Sequence, residues 1–142
     1  MYNILFHAHS GIRYLVLLMV CLTVLKALVA LISKSKYSGI DNKLSLSAMA
    51  LTHLQLLLGF LLYFVSPVVK VALKDMGAAM KDEALRFVAV EHVSIMILAV
   101  IAITFGRILA KKAPTDNAKH LKTLVLFGVA LVLIVIGIPW SK

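Results

Sequence analysis

Three short stretches of this chain set ionisable side chains into otherwise apolar sequence. "LFHAHSGIRY" carries His7, His9 and Arg13, "THLQ" carries Thr52, His53 and Gln55, and "RFVAVEH" carries Arg86, Glu91 and His92. Such groups are costly in lipid and tend to face the interior of a helix bundle, where they mark functional sites. The chemistry they offer is imidazole ligation. A neutral ring nitrogen is a common ligand of haem iron, and the second nitrogen takes an orienting partner. Arg13, four residues after His9, shares its helix face and can pair with an anionic group such as a haem propionate, or with Glu91. Gly11 and Gly59 present no side chain to hold a flat macrocycle off the backbone. Thr52, Gln55, Gly59 and Tyr63 form a narrow stripe suited to lining a pocket.

Two axial ligands of one haem must lie at nearly equal depth. With about 1.5 Å of rise per residue, His92 is about 8–9 Å in from Arg86, and His9 is about 9–10 Å in from a helix start near Tyr2 or Asn3. His53 lies about 15 Å from either end of its span. Depth therefore favours His9 with His92. His53 with His92 requires helix tilt, and His53 with His120 are too far apart. The same residues also fit a cofactor-free interior, with His53 as a hydrogen-bonding residue and His7 as a wet interfacial one. In that reading His120, beside Lys119 and Lys122, is solvated. Met76 and Met80 read as interfacial apolar anchors, with iron ligation as the sharper alternative.

The elements that must position these groups follow from composition. The chain has 142 residues, 62% hydrophobic and 15% charged, and its mean hydropathy of +1.01 lies outside the range of soluble domains. Four runs, 11–32, 44–65, 87–109 and 121–138, match the roughly 20 apolar residues that cross a bilayer. A backbone in lipid must satisfy its own hydrogen bonds, which demands helices. Short connections make neighbours antiparallel, so the expectation is an all-α integral membrane four-helix up-down-up-down bundle, one domain over 1–142. The first run lacks a basic cluster and exceeds a signal core, so it is taken as a mature helix. Cys21 is the only cysteine, which excludes an internal disulfide, and no CxxCH sequence offers covalent haem attachment.

The net charge of +9 reflects topology rather than nucleic-acid binding. Lys34, Lys36 and Lys43 outnumber Asp41 around the first connection, and Arg107, Lys111, Lys112, Lys119 and Lys122 outnumber Asp116 around the third. The second connection is nearly balanced. Connections one and three are therefore expected in the cytoplasm and both termini outside, with Lys26 snorkelling to the cytoplasmic surface. Val69, Leu73, Met76 and Met80 recur at helical spacing, which predicts a short amphipathic interfacial helix turned by Ser66 and Pro67. The competing expectation is a plain extension of the second span. Thr115 and Asp116 read as start caps for the fourth span, and Trp140 as an interfacial belt residue.

The set "HAHSGIRYLVLL", "THLQLLLGFLLYFVSP", "RFVAVEHVSIMILA" and "IPW" resembles a group of small bacterial four-helix membrane proteins labelled cytochrome b-like, over nearly the whole chain. The resemblance implies a non-covalent haem b held by histidines from the helices, carried onto His9, His53 and His92 with Arg13 and Glu91 as neighbours. His120 in "AKHLK" falls within the resembling stretch and admits a second haem. The resulting expectation is a cytochrome of the bacterial inner membrane that passes single electrons, between a quinone pool and an external redox partner, with homo-oligomers allowed. Two other readings stay open: a small haem-dependent oxidase acting on a porphyrin or quinol, and a cofactor-free metal-transport or structural subunit.

Overall fold

The computed structural model describes residues 1–141. Its helices are α1 (Tyr2–Ser33), α2 (Gly39–Val65), α3 (Pro67–Lys74), α4 (Met76–Ala79), α5 (Glu83–Arg86), a π-turn (Phe87–Glu91), α6 (His92–Lys112) and α7 (Asp116–Gly137). No strand occurs among the described residues. α5, the π-turn and α6 run on as one rod, Glu83–Lys112. That rod, α1, α2 and α7 are each long and apolar enough to cross a membrane, and the chain is a multi-pass membrane protein.

The helices outrun the apolar runs because polar caps extend them. At the start of α2, the Asp41 carboxylate accepts from the Ser38 backbone N–H at 2.8 Å and from the Ser38 hydroxyl at 2.9 Å, within a reciprocal capping box. Thr115 caps α7 as expected, its Oγ1 accepting from the Ala118 N–H at 3.1 Å. α1 closes on Lys34 in the left-handed region at φ 53°, and its last turn is then free to double back into α2.

Contacts along the rods are antiparallel. Lys26 on α1 meets Asp41 at the start of α2, while Gln55, farther along α2, meets His9 near the start of α1. Arg107 on α6 meets Ser45 on α2, and Tyr63 meets Ala89. α1 packs against α2 and α7, and α6 against α7 and α2, so α1 and α6 face each other across the diagonal. We call the end carrying α3–α5 the cap end, and the end carrying the α1–α2 and α6–α7 connections the hairpin end. Mid-bundle, Val16, Val20, Ala48, Ala99, Ile103, Phe127, Ala130 and Ile134 form a closed core. Its alanines let backbones approach, the main source of helix association where lipid is as apolar as leucine.

The segment after α2 is a separate helix and not an extension. Ser66 breaks the rod at φ −65°, ψ 125° and caps α3 by accepting from the Val69 N–H at 3.4 Å. Pro67 takes the first helical position, where its missing N–H costs nothing. Ala72, buried with Ala79 and Ala89, fastens α3 over the mouth of the bundle. Met76 and Met80 are 37% and 45% exposed. Trp140 lies exposed at the cap end, its Nε1–H donating to the Val135 carbonyl at 2.8 Å.

Candidate functional site

Above the closed core, toward the cap end, α1, α2 and the π-turn rod stand apart around a cavity of ≈ 450 Å³, within the size range of small-molecule sites. Its wall is mostly apolar. The polar groups it receives include His9, Arg13, Gln55, Tyr63 and His92, with Gly59 opposite His9. Arg13 is the only Lys, Arg, Asp or Glu side chain among the described residues lining it.

The imidazoles of His9 and His92 meet across the diagonal, ring centroids 6.2 Å apart and planes at 80°. A metal–imidazole bond is about 2 Å and a ring nitrogen lies about 1 Å from its centroid, so two imidazoles on opposite sides of one metal atom have centroids about 6 Å apart. The observed pair has that spacing.

Each ring is held from behind. His92 Nδ1 lies 2.7 Å from the Gly137 carbonyl, one of the last carbonyls of α7, which have no helical partner. A carbonyl only accepts, so Nδ1 carries the hydrogen and Nε2 keeps the lone pair, as a ligating histidine requires. A side chain on Gly137 would meet Ile95 Cγ2 at 2.8 Å and Met96 Cε at 2.7 Å, so only glycine lets α7 come this close. Gly137→Ala is expected to lower unfolding stability by about 1–3 kcal/mol through overpacking, read as an earlier midpoint in a denaturing-detergent titration.

His9 lies against Gly59, where a Cβ would stand 3.1 Å from His9 Cε1. Gly59 therefore makes room for the His9 ring itself, whereas the sequence suggested that a macrocycle would approach there. Gln55 Nε2 donates to the His9 backbone carbonyl at 2.8 Å and pins α1 at that level. Three buried polar atoms on this wall have no partner within the chain: His9 Nδ1, Arg13 Nε and Gln55 Oε1.

The rod opposite owes its shape to the π-turn. The His92 N–H reaches back to the Phe87 carbonyl, a widened turn of the kind often found at functional sites. The Tyr63 hydroxyl donates to the Ala89 carbonyl at 3.0 Å and ties the π-turn to α2.

Other expected site residues fall elsewhere. His53 does not line the cavity; its Nε2 lies 3.0 Å from Thr104 Oγ1. Thr104 spends its own hydrogen on the Val100 carbonyl at 2.7 Å, so His53 is the donor. Glu91 also stands outside the cavity wall and pairs with Arg86, Nε to Oε1 2.6 Å, which leaves Arg13 without it. Arg13 instead donates from Nη2 to the Tyr14 hydroxyl at 2.8 Å. His7 is exposed, with Phe6 against its ring. His120 is 1% exposed at the hairpin end, buried where solvation was expected, and is not brought to His9 or His92.

Two features escaped sequence reasoning. Arg107 counted as a loop cation, yet it is 6% exposed, its Nη1 donating to Ser45 Oγ at 2.7 Å and the Asn42 carbonyl at 3.1 Å; its place inside the run "FGRIL" was the available signal. Lys26 reaches towards the hairpin end and pairs there with Asp41 at 2.8 Å, a partner the sequence did not assign to it.

No family model matches the chain, and no curated protein and no solved structure matches it. Among the described residues, no group of three or more His, Cys, Asp or Glu is placed to hold a metal ion.

Proposed function

We propose that this protein is a b-type cytochrome of the bacterial inner membrane, holding one non-covalent haem b between His9 and His92 for one-electron transfer. The observation that carries the reading is the facing pair of imidazoles, 6.2 Å apart, inside a cavity large enough for a cofactor. Two imidazoles are a sparse set for a bare metal ion, whereas haem b would bring its own ring nitrogens and would need from the protein only the imidazoles of His9 and His92. Haem, when bound, supplies a one-electron iron couple.

The chain's own residues set the conditions for that couple. His92 presents Nε2 because Nδ1–H is committed to Gly137, which also raises its ligand basicity. His9 is held at the matching level by Gly59 and Gln55. Arg13 brings positive charge to a wall without a carboxylate, which suits the anionic edge of haem b and leaves no propionate facing a like charge. The apolar remainder of the wall makes a low-polarity surrounding, which is one lever on the potential. An iron held by both His9 and His92 would favour electron transfer over oxygen chemistry.

The excess of lysines at the hairpin end supports an orientation with that end in the cytoplasm and both termini and α3–α5 outside. The cavity then lies in the outer half of the membrane, accessible to electron exchange with a quinone pool and an external redox protein. Detergent-purified protein supplemented with haem should show a Soret band and, on reduction, the spectrum of six-coordinate b haem, unchanged by carbon monoxide. Absence of a Soret band would end the proposal. Carbon monoxide binding would shift it to an enzyme with an open iron position. In the same assay Gly59→Ala, which pushes on His9, is expected to weaken haem binding about tenfold, or about 1.4 kcal/mol, with α-helical content unchanged by circular dichroism.

A further inference from the structure

The hairpin end carries a second polar cluster that the haem reading does not use. Thr23, Lys26 and Ala27 of α1, Tyr37 of the connection, Asp41 and Leu44 of α2, and His120 and Thr123 of α7 line a cavity of ≈ 10 Å³. That is about the space of one water-sized sphere, the minimum a buried water occupies.

Hydrogen-bond accounting shows what the cluster lacks. His120 Nε2 lies 3.1 Å from the Ser35 carbonyl; a carbonyl only accepts, so Nε2 carries the hydrogen and Nδ1 is an acceptor. His120 is 1% exposed, and its Nδ1 is buried without a partner. Neither threonine can serve it. The Thr23 hydroxyl donates to the Met19 carbonyl at 2.7 Å and the Thr123 hydroxyl to the Lys119 carbonyl at 2.9 Å, so each offers lone pairs alone. Asp41 accepts from Lys26 on Oδ1 and from Ser38 on Oδ2. Lys26 has further hydrogens to give, but its ammonium is drawn to Asp41 at 2.8 Å.

We infer that this cavity is a binding site for one structural water, which donates one hydrogen to His120 Nδ1 and the other to a threonine or Asp41 oxygen while accepting from Lys26. That scheme gives the water about three hydrogen bonds, the usual number for a buried one. A neutral two-way donor is what the wall calls for, and the Lys26 ammonium opposes a metal cation. The water joins α7 to the Lys26–Asp41 pair that links α1 and α2.

The test is solid-state NMR on the full-length protein in lipid bilayers with ¹⁵N-labelled histidine, the His120 signals being assigned by their loss in His120→Gln. The expected result is an Nε2-protonated ring whose Nδ1 is hydrogen-bonded, with magnetisation transferred to it from water. In Thr123→Leu, whose added methyls fill the cavity, that transfer is lost while His7 keeps its own. A His120 ring protonated on Nδ1, or no transfer from water in the unaltered protein, overturns the inference. So does transfer that persists in Thr123→Leu, because the water then lies elsewhere.

Discussion

His92→Ala is expected to yield a protein without haem absorption, its Soret intensity at least about tenfold below the unaltered chain, which corresponds to a loss of about 1.4 kcal/mol or more in haem binding. The substitution removes one of two iron bonds and leaves the Gly137 carbonyl, now accepting at 2.7 Å, without its donor. An unpaired buried carbonyl costs about 1–3 kcal/mol, so a stability loss accompanies the spectral one. Added imidazole separates the two effects: it restores part of the Soret band if the missing group is a ligand, and none if the fold has failed. His9→Ala should behave alike. His53→Ala should retain haem, because His53 bonds Thr104 outside the cavity. Full haem loading in His92→Ala would remove the basis of the proposed function.

The second large effect lies at the other end of the bundle and does not depend on haem. Asp41 is the acceptor for both Lys26 and the α2 cap, with its side chain 5% exposed and that of Lys26 34% exposed. Asp41→Ala therefore removes a helix cap, about 1 kcal/mol, and strands an ammonium. Breaking a fully buried pair costs about 3–5 kcal/mol, and the partial exposure of Lys26 puts this one at the lower end. The total, about 4 kcal/mol, should appear as a large fall in the midpoint of a denaturing-detergent titration. Asp41→Asn keeps a cap acceptor and should lose less. Adding Lys26→Met to Asp41→Ala should recover part of the loss, since the stranded charge goes with it. A double variant no better than Asp41→Ala would mean the pair contributes nothing beyond the cap.

The four spans were legible in the sequence because hydropathy over about 20 residues is a local property that lipid enforces on each segment separately. Local chemistry also announced the Thr115 cap before α7 and the bend at Ser66 and Pro67 before α3. The depth of His9 and His92 followed from helical rise alone, since in a membrane helix sequence position is nearly a vertical coordinate. Position around the axis and the partner of each side chain were not legible. The π-turn changes the register just before His92, and no periodicity in "FVAVE" signals it. Glu91 could have met Arg13 or Arg86 on spacing alone; packing gave it to Arg86. His53 looked as good a ligand as His92 by residue type, and only the crossing of α2 with α6 turns it to Thr104.

The order of residues, then, determined by itself that the chain is a set of membrane-spanning helices and which levels along them carry imidazole. The tertiary structure alone decided which imidazoles face each other, that Gly59 and Gly137 are the contacts behind them, and that His120 is buried. The physical reason is that depth accumulates residue by residue along one helix, whereas facing depends on how two helices cross, and that is set by side chains far apart in the chain.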